Sequence, residues 1–258
     1  MQINIIKSFK EKIKNGAVFG PFSKTSDPAF IEILGLAGFD FVVLDMEHGP
    51  NSLETVQNLI RAAELTGLFP VVRVEENNFS QIGRALDIGA GAIQVPQVRS
   101  VDDVKKVLHY AKFASEGMRG VCRFVRAAAY SAKPREDYFK DANRALVIIQ
   151  LEGKEAVENL DDILEFGGFD VLFIGPYDLS QSLGISGQVD HPLVEEKIVE
   201  IVKRSHIKKV QVGIFTDTLG SALKWVKAGV RYLSYSVDVG LYFDACRTII
   251  QQLSSRKV

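Results

Sequence analysis

A single-domain (β/α)8 barrel is the fold this sequence predicts, and three observations carry the prediction. Short, nearly continuous apolar runs rich in β-branched residues recur along the chain, each followed by a longer amphipathic stretch. The length, 258 residues, is the size at which one such barrel closes. No Gly-x-Gly-x-x-Gly follows the first run, so a dinucleotide-binding open sheet lacks its phosphate turn.

The predicted strands, in order, are Ala17–Gly20, Phe39–Leu44, Val71–Val74, Ala92–Val95, Leu146–Leu151, Val171–Ile174, Val210–Phe215 and Tyr232–Tyr235. Ser52 opens a helix to about Leu65, with Leu53, Val56, Leu59 and Ile60 on one face. Ser100 and Asp103 form a capping box for a helix through Lys112. Lys154–Glu165 places Ala156, Val157, Leu160, Ile163 and Leu164 at helical spacing, and Pro192–Ile207 and Thr218–Ala228 read the same way. Gly38, Gly67, Gly89, Gly167 and Gly229 end helices. Gly38-Phe39-Asp40 is echoed by Gly168-Phe169-Asp170, each between a helix and a strand. Residues 114–144, rich in Arg, Ala and Gly, are too long for an ordinary connection and predict a functional excursion or an oligomer contact. No linker divides the chain, so the domain is expected to span 1–258.

Composition narrows the function. Lys plus Arg (31) against Asp plus Glu (32) leaves a net charge of −1, no basis for binding nucleic acid or an anionic membrane. The two cysteines, Cys122 and Cys246, match neither a metal spacing nor a disulfide framework, which favours a reducing compartment. The apolar run near the N-terminus is too short for a secretory signal, and no stretch approaches the ~20 residues of a membrane helix, so a cytoplasmic protein is expected.

Barrel enzymes carry their chemistry at the carboxyl ends of the strands. Here those ends read Asp45-Met46-Glu47-His48, Arg73, Gln94 with Gln97, Gln150 with Glu152, Gly175-Pro176-Tyr177-Asp178 and Ser236-Val237-Asp238. Each has a bland reading: Asp45 could cap a helix, and Arg73 could pair with a core carboxylate. Together they point to a site, because burying several charges without a ligand is costly. Glu152 and Asp178 end neighbouring strands, so both could reach one oxygen-preferring divalent ion, or each could cap a local turn. His48, with carboxylates nearby, is the best general base, or else a loop histidine. His109, His191 and His206 fall in helices or at a helix start and are read as structural. No strand carries a lysine, and Lys24 and Lys154 fall in loops, which weighs against a lysine imine.

Several of these segments resemble the HpcH/HpaI aldolase family. They are Asp45-Met46-Glu47-His48-Gly49-Pro50-Asn51, Pro70-Val71-Val72-Arg73-Val74, Leu86-Asp87-Ile88-Gly89-Ala90, Arg119-Gly120-Val121, Gln150-Leu151-Glu152 and Phe173-Ile174-Gly175-Pro176-Tyr177-Asp178-Leu179-Ser180. The similarity runs from about Gly16 to Leu241. It implies a (β/α)8 barrel and a class II pyruvate aldolase, cleaving a 4-hydroxy-2-oxo acid to pyruvate and an aldehyde. By resemblance, Glu152 and Asp178 hold a divalent metal (Mg²⁺, Mn²⁺ or Co²⁺). Arg73 contacts the keto oxygen of pyruvate, and His48 is the base, oriented by Asp45. Asp87 matches an aspartate that reaches the site from a neighbouring subunit. Gln150 lies beside metal and pyruvate, and backbone N–H groups around Gly175, Pro176 and Tyr177 bind the pyruvate carboxylate. The assembly implied is a homo-oligomer, a hexamer, in which the C-terminal helix packs on a partner barrel. The Arg119–Val121 segment shapes the aldehyde side, where Cys122 stands for a common glycine with Arg123 and Arg126 following. Phe22 stands for a common tryptophan. These departures leave the pyruvate half intact and alter the aldehyde half. The alternatives are an acyl-CoA lyase akin to citrate lyase β-subunits or an oxo-acid decarboxylase, both through the same enolate, and a non-catalytic barrel. Arg119, Arg123 and Arg126 would be the groups for a phosphate or second carboxylate.

Overall fold

A computed structural model describes residues 2–255; residue 1 and residues 256–258 of the expected 1–258 span lie outside the described residues. Eight parallel strands close into one barrel in chain order: β1 (Val18–Ser23), β2 (Phe41–Asp45), β3 (Phe69–Arg73), β4 (Ala92–Val98), β5 (Leu146–Leu151), β6 (Val171–Ile174), β7 (Gln211–Thr216) and β8 (Tyr232–Val237). The predicted bounds of β5 and β6 coincide with the structure, whereas β1 lies further along the chain than Ala17–Gly20.

Helix α1 (Gln2–Asn15) precedes the barrel, and α2 (Pro28–Leu36), α3 (Leu53–Leu65), α4 (Phe79–Asp87) and α5 (Val101–Ala111) follow the first four strands. Asp27, Ser52, Asn78 and Ser100 cap the N-termini of α2 to α5 with their side chains, and the Ser100–Asp103 capping box is present. The excursion holds a 3₁₀ turn (Arg126–Ser131) and α6 (Arg135–Ala142), packed on a small core of Phe113, Ala128 and Tyr138. The predicted helix Lys154–Glu165 is two helices, α7 (Gly153–Glu158) and α8 (Leu160–Phe166), broken at Asn159. Then come α9 (Pro176–Ser182), α10 (Pro192–Ile207), α11 (Leu219–Ala228) and α12 (Asp238–Ser254). Cys122 and Cys246 are free and exposed. Among the described residues no helix is long and apolar enough to cross a membrane.

Side chains alternate along each strand, and this period of two builds the interior. Phe41, Val43, Phe69, Val71, Ala92, Leu146, Ile148, Val171, Phe173 and Tyr232 fill the barrel, joined by Ile6, Phe9 and Ile13 of α1. Their neighbours Val42, Leu44, Val72, Ile93, Val147 and Ile149 face the helices. Phe9 stacks on Phe69 at 4.0 Å, and Phe41 stacks on Tyr232 at 4.1 Å. Phe41, Phe69 and Tyr232 begin their strands, so α1 plugs the amino end of the barrel. Gly213 makes room for this filling: a Cβ there would meet both Phe173 and Tyr232 at 2.8 Å. The next inward positions along the series, Asp45, Arg73, Gln94, Gln150 and Gly175, reach the carboxyl end.

Asp238 locks the closure between β1 and α12. Its carboxylate accepts from Ser23 Oγ (2.7 Å), Thr25 Oγ1 (2.7 Å) and the backbone N–H groups of Lys24 and Thr25 (3.0 Å each). Burial pushes this carboxyl up, but the bonds from Ser23, Thr25 and the backbone outweigh it and hold it below its ordinary value of 3.8.

Three variants test these contacts. Phe41→Ala is expected to cost about 3–5 kcal/mol in denaturant unfolding. Tyr232→Phe, which removes a buried hydroxyl with no hydrogen-bond partner, is expected to be neutral or stabilising within about 1 kcal/mol. Asp238→Asn is expected to lose about 1–3 kcal/mol at neutral pH. The native carboxyl is depressed, so its contribution is full above the unfolded value and disappears as pH falls through the folded one. Unfolding curves of wild type and Asp238→Asn should therefore converge as pH drops below about 4; a gap that persists there contradicts the charged latch.

Candidate active site

The inward tier converges on a cavity of about 480 Å³ at the carboxyl end of the barrel. Asp45 and Arg73 are register partners at the ends of β2 and β3. Arg73 Nε donates to Asp45 Oδ1 at 2.9 Å and Nη2 to Oδ2 at 2.8 Å, a two-point pairing. The guanidinium lies 4.7 Å over the Phe22 ring, and its Nη1 sits 2.8 Å from Glu47 Oε2. Asp45 is fully buried, and burial pushes its carboxyl up, yet Arg73, the His48 backbone N–H and the Lys24 charge hold it below its ordinary value.

On the opposite wall, Gln94 Nε2 donates to Gln150 Oε1 at 2.5 Å, and Gln150 Nε2 donates to Glu152. This relay orients Glu152, the N-cap residue of α7. A Cβ on Gly175 would come within 3.0 Å of Asp178 Oδ2, 3.6 Å of Glu152 Cγ and 3.8 Å of Gln150 Nε2, so these three groups surround one point. Burial first, then the charges of Asp178 and Glu47, push the Glu152 carboxyl up to about 7. Glu47 is also raised, by burial and by Asp45, against the pull of Arg73 and His48. Its Oε2 is buried, with the Arg73 ion pair but no well-aligned hydrogen bond.

These residues suit a hard divalent cation. Among the described residues no three or more His, Cys, Asp or Glu gather as a closed cage. The buried Glu152 and the exposed Asp178 leave the other positions open to oxygen ligands, and a cation there would relieve the part of the Glu152 shift that Asp178 causes.

The structure differs from some of the expected contacts and leaves other residues away from this cavity. Asp45 does not orient the His48 ring; both its oxygens serve Arg73, and His48 meets it through the backbone N–H at 3.2 Å. The carboxylate near the ring is Glu47, 3.9 Å from Nε2, and the His48 side chain is exposed. Asp87 ends α4, just before β4, so it lies at the amino end of its own barrel, paired with Arg119 at 2.6 Å. Arg119 and Val121 are thus not brought to this cavity by their own chain. Arg123 donates to the carbonyls of Ser131 and Lys133, and Arg126 pairs with Glu64, so neither is free for a substrate tail. Phe22, Gln150, Gly175, Pro176, Tyr177 and Asp178 do line the cavity.

Other residues of the site lay outside the expected set. Glu47 could have been found, since it continues the alternation Phe41, Val43, Asp45. Asp217, which accepts from Tyr177 Oη at 2.5 Å, and Lys24 lie in loops without a local signature. Asp217 pushes the Tyr177 phenol up to about 12. Gln97 and Ser236 sit at strand ends with φ of 56° and 58°, the left-handed strain that concentrates at functional sites.

Comparison with known proteins gives the same family. A family model described as HpcH/HpaI aldolase/citrate lyase matches residues 19–245. Hydroxypyruvate/pyruvate aldolase from Roseobacter denitrificans is 32% identical over 246 residues, 95% of this chain and 96% of that protein. 5-Keto-4-deoxy-D-glucarate aldolase from Citrobacter koseri is 32% identical over 231 residues, 89% of each. A crystal structure of an HpcH/HpaI aldolase/citrate lyase family protein from Burkholderia cenocepacia superposes with a TM-score of 0.91 at 33% identity, covering 96% of this chain and 99% of that one. A barrel match of this extent, joined to relatives above 30% identity along almost the whole length, makes the chain a member of the HpcH/HpaI aldolase/citrate lyase family.

Proposed function

We propose that the protein is a class II pyruvate aldolase, a carbon–carbon lyase that reversibly cleaves a 4-hydroxy-2-oxo acid to pyruvate and an aldehyde. The observation that carries this reading is the convergence of Asp178, Gln150 and Arg73 on one cavity, with Glu152 beside its Gly175 wall and His48 at its rim. Relatives named as aldolases support it.

Glu152 and Asp178 would hold the divalent ion. When bound, such an ion supplies positive charge to the oxygens of a 2-oxo acid. Arg73, held by Asp45 and Glu47, turns the N–H donors they leave over to the keto oxygen and stabilises the enolate charge that forms there. The N–H groups of Gly175 and Tyr177 face the pyruvate carboxylate; Pro176 has none to give. Gln150 positions Glu152 and lies against the oxo acid. His48, exposed at the rim, takes the proton from the C4 hydroxyl. The C3–C4 bond breaks, its electron pair passes to the enolate, and the aldehyde leaves. Asp87, with Arg119 and Val121, would complete the site of a partner barrel. The exposed apolar side chains Tyr242, Phe243, Ile249, Ile250 and Leu253 of α12 support packing against that partner.

Pyruvate release from 4-hydroxy-2-oxo acids, coupled to lactate dehydrogenase, tests the reading. Release is expected with Mg²⁺, Mn²⁺ or Co²⁺ and should vanish with EDTA. Release insensitive to EDTA overturns it, and cleavage of acyl-CoA thioesters instead assigns the citrate lyase type of chemistry. Arg119 and Arg126, which a nucleotide would need, are already paired with carboxylates.

Three variants refine the roles. His48→Ala should slow aldol cleavage by about 10²–10⁴-fold while exchange of pyruvate methyl protons in D₂O falls far less; equal loss of both contradicts the C4-hydroxyl role. Arg73→Ala should depress cleavage and exchange together, and exchange at the wild-type rate would remove Arg73 from the enolate. Glu152→Gln should abolish Mn²⁺ binding in calorimetry while the circular dichroism spectrum is unchanged; retained binding would move the metal elsewhere.

A further inference from the structure

Lys24 occupies an unusual position. It lies in the loop after β1 and lines the same cavity as His48 and Arg73. Its backbone is clamped from two sides. Asp238 takes its N–H at 3.0 Å, and Asn51 Nδ2 donates to the carbonyls of Lys24 (3.4 Å) and Thr25 (3.3 Å). Asp238 and Asn51 are buried. A loop held this firmly fixes the point from which the flexible Lys24 side chain enters the cavity.

The ammonium itself is left without a hydrogen bond. Its nearest carboxylate, Asp45, is 3.8 Å away, too far for one, and is already saturated by Arg73 and by the N–H groups of Glu47 and His48. An ammonium carries three donors and binds an anion as a point charge. The far wall of the cavity carries Asp217, locked to Tyr177, and repels an anion. Of the excursion's arginines, Arg119, Arg126 and Arg123 are committed to Asp87, Glu64 and backbone carbonyls.

We propose that Lys24 is the specificity-determining residue of the aldehyde half, binding an anionic group, carboxylate or phosphate, on the aldehyde. This rests on the aldolase reading above. The arrangement makes a neutral acceptor a poorer substrate than an anionic one of similar size, because only the anion gains the ammonium.

The test runs the reaction in the aldol direction with pyruvate, Mn²⁺ and three acceptors: glyoxylate, glyceraldehyde 3-phosphate and neutral glyceraldehyde. Lys24→Gln is expected to raise KM for an anionic acceptor by about tenfold, with KM for glyceraldehyde shifted less than about twofold. Lys24→Arg should restore most of the preference. Loss confined to glyoxylate assigns a carboxylate, and loss confined to glyceraldehyde 3-phosphate assigns a phosphate. An equal rise for all three acceptors, or no change, overturns the proposal. So does trapping of a pyruvate adduct on Lys24 with borohydride, which would make it an imine former. Exchange of pyruvate methyl protons in D₂O separates the two levels. Exchange present without anion preference removes only the role of Lys24, whereas wild-type protein that neither exchanges nor condenses overturns the aldolase reading and this one together.

Discussion

The two-point pairing of Arg73 with Asp45 is the interaction on which the site depends. Both groups are buried at the top of the interior tier, where an unpaired charge is costly. Desolvation of each ion is costly, and the geometry must offset it: two short bonds, plus backbone donors on the carboxylate and an aromatic face under the guanidinium. The pairing fixes the direction of Arg73, occupies both oxygens of Asp45, and leaves His48 exposed at the rim.

The same small space sorts its carboxylates by neighbour. Burial raises all three carboxyls; the two-point bond from Arg73 brings Asp45 below its ordinary value, whereas Glu47, despite its Arg73 pair, and Glu152, beside Asp178, stay raised. Environments that push similar groups apart in this way mark a site built to handle charge. The Gln94–Gln150–Glu152 relay adds the geometric half, because an amide chain can hold a carboxylate in place without neutralising it.

Much of this was legible in the residues. Continuous apolar runs such as Leu146–Leu151 and Val171–Ile174 can be little else than strands covered on both faces, and both lie where predicted. Pro192 at the first turn and the periodicity behind it marked α10 to the residue. Helix α1 was missed, and α2 and α4 were marked only by the glycines that follow them, Gly38 and Gly89. Polar α1 carries few apolar anchors, α2 is apolar on nearly every side, and α4 has only nine residues. The inward residues Arg73, Gln150 and Asp178 were recognisable as strand-end polar groups. The true partner of Asp45 was not, because i and i+3 in sequence suggested His48 while the barrel register supplied Arg73. Lys24, Asn51 and Asp238 come together only when the ring closes, and no local pattern announces contacts spanning 215 residues.

That closure has a consequence in time. β1 has β2 on one edge and β8 on the other, and the Asp238 latch lies beyond β8. A chain emerging from the ribosome at about 5–20 residues per second needs roughly 10–40 s between Ser23 and Asp238. During that interval β1 keeps an open edge, the kind of surface that recruits foreign strands. Ser23 and Thr25, whose hydroxyls meet Asp238 at the end, lie next to that edge throughout. The nascent barrel is therefore most vulnerable where its mouth will be, and the finished enzyme gains its substrate-facing loop only with the last strand.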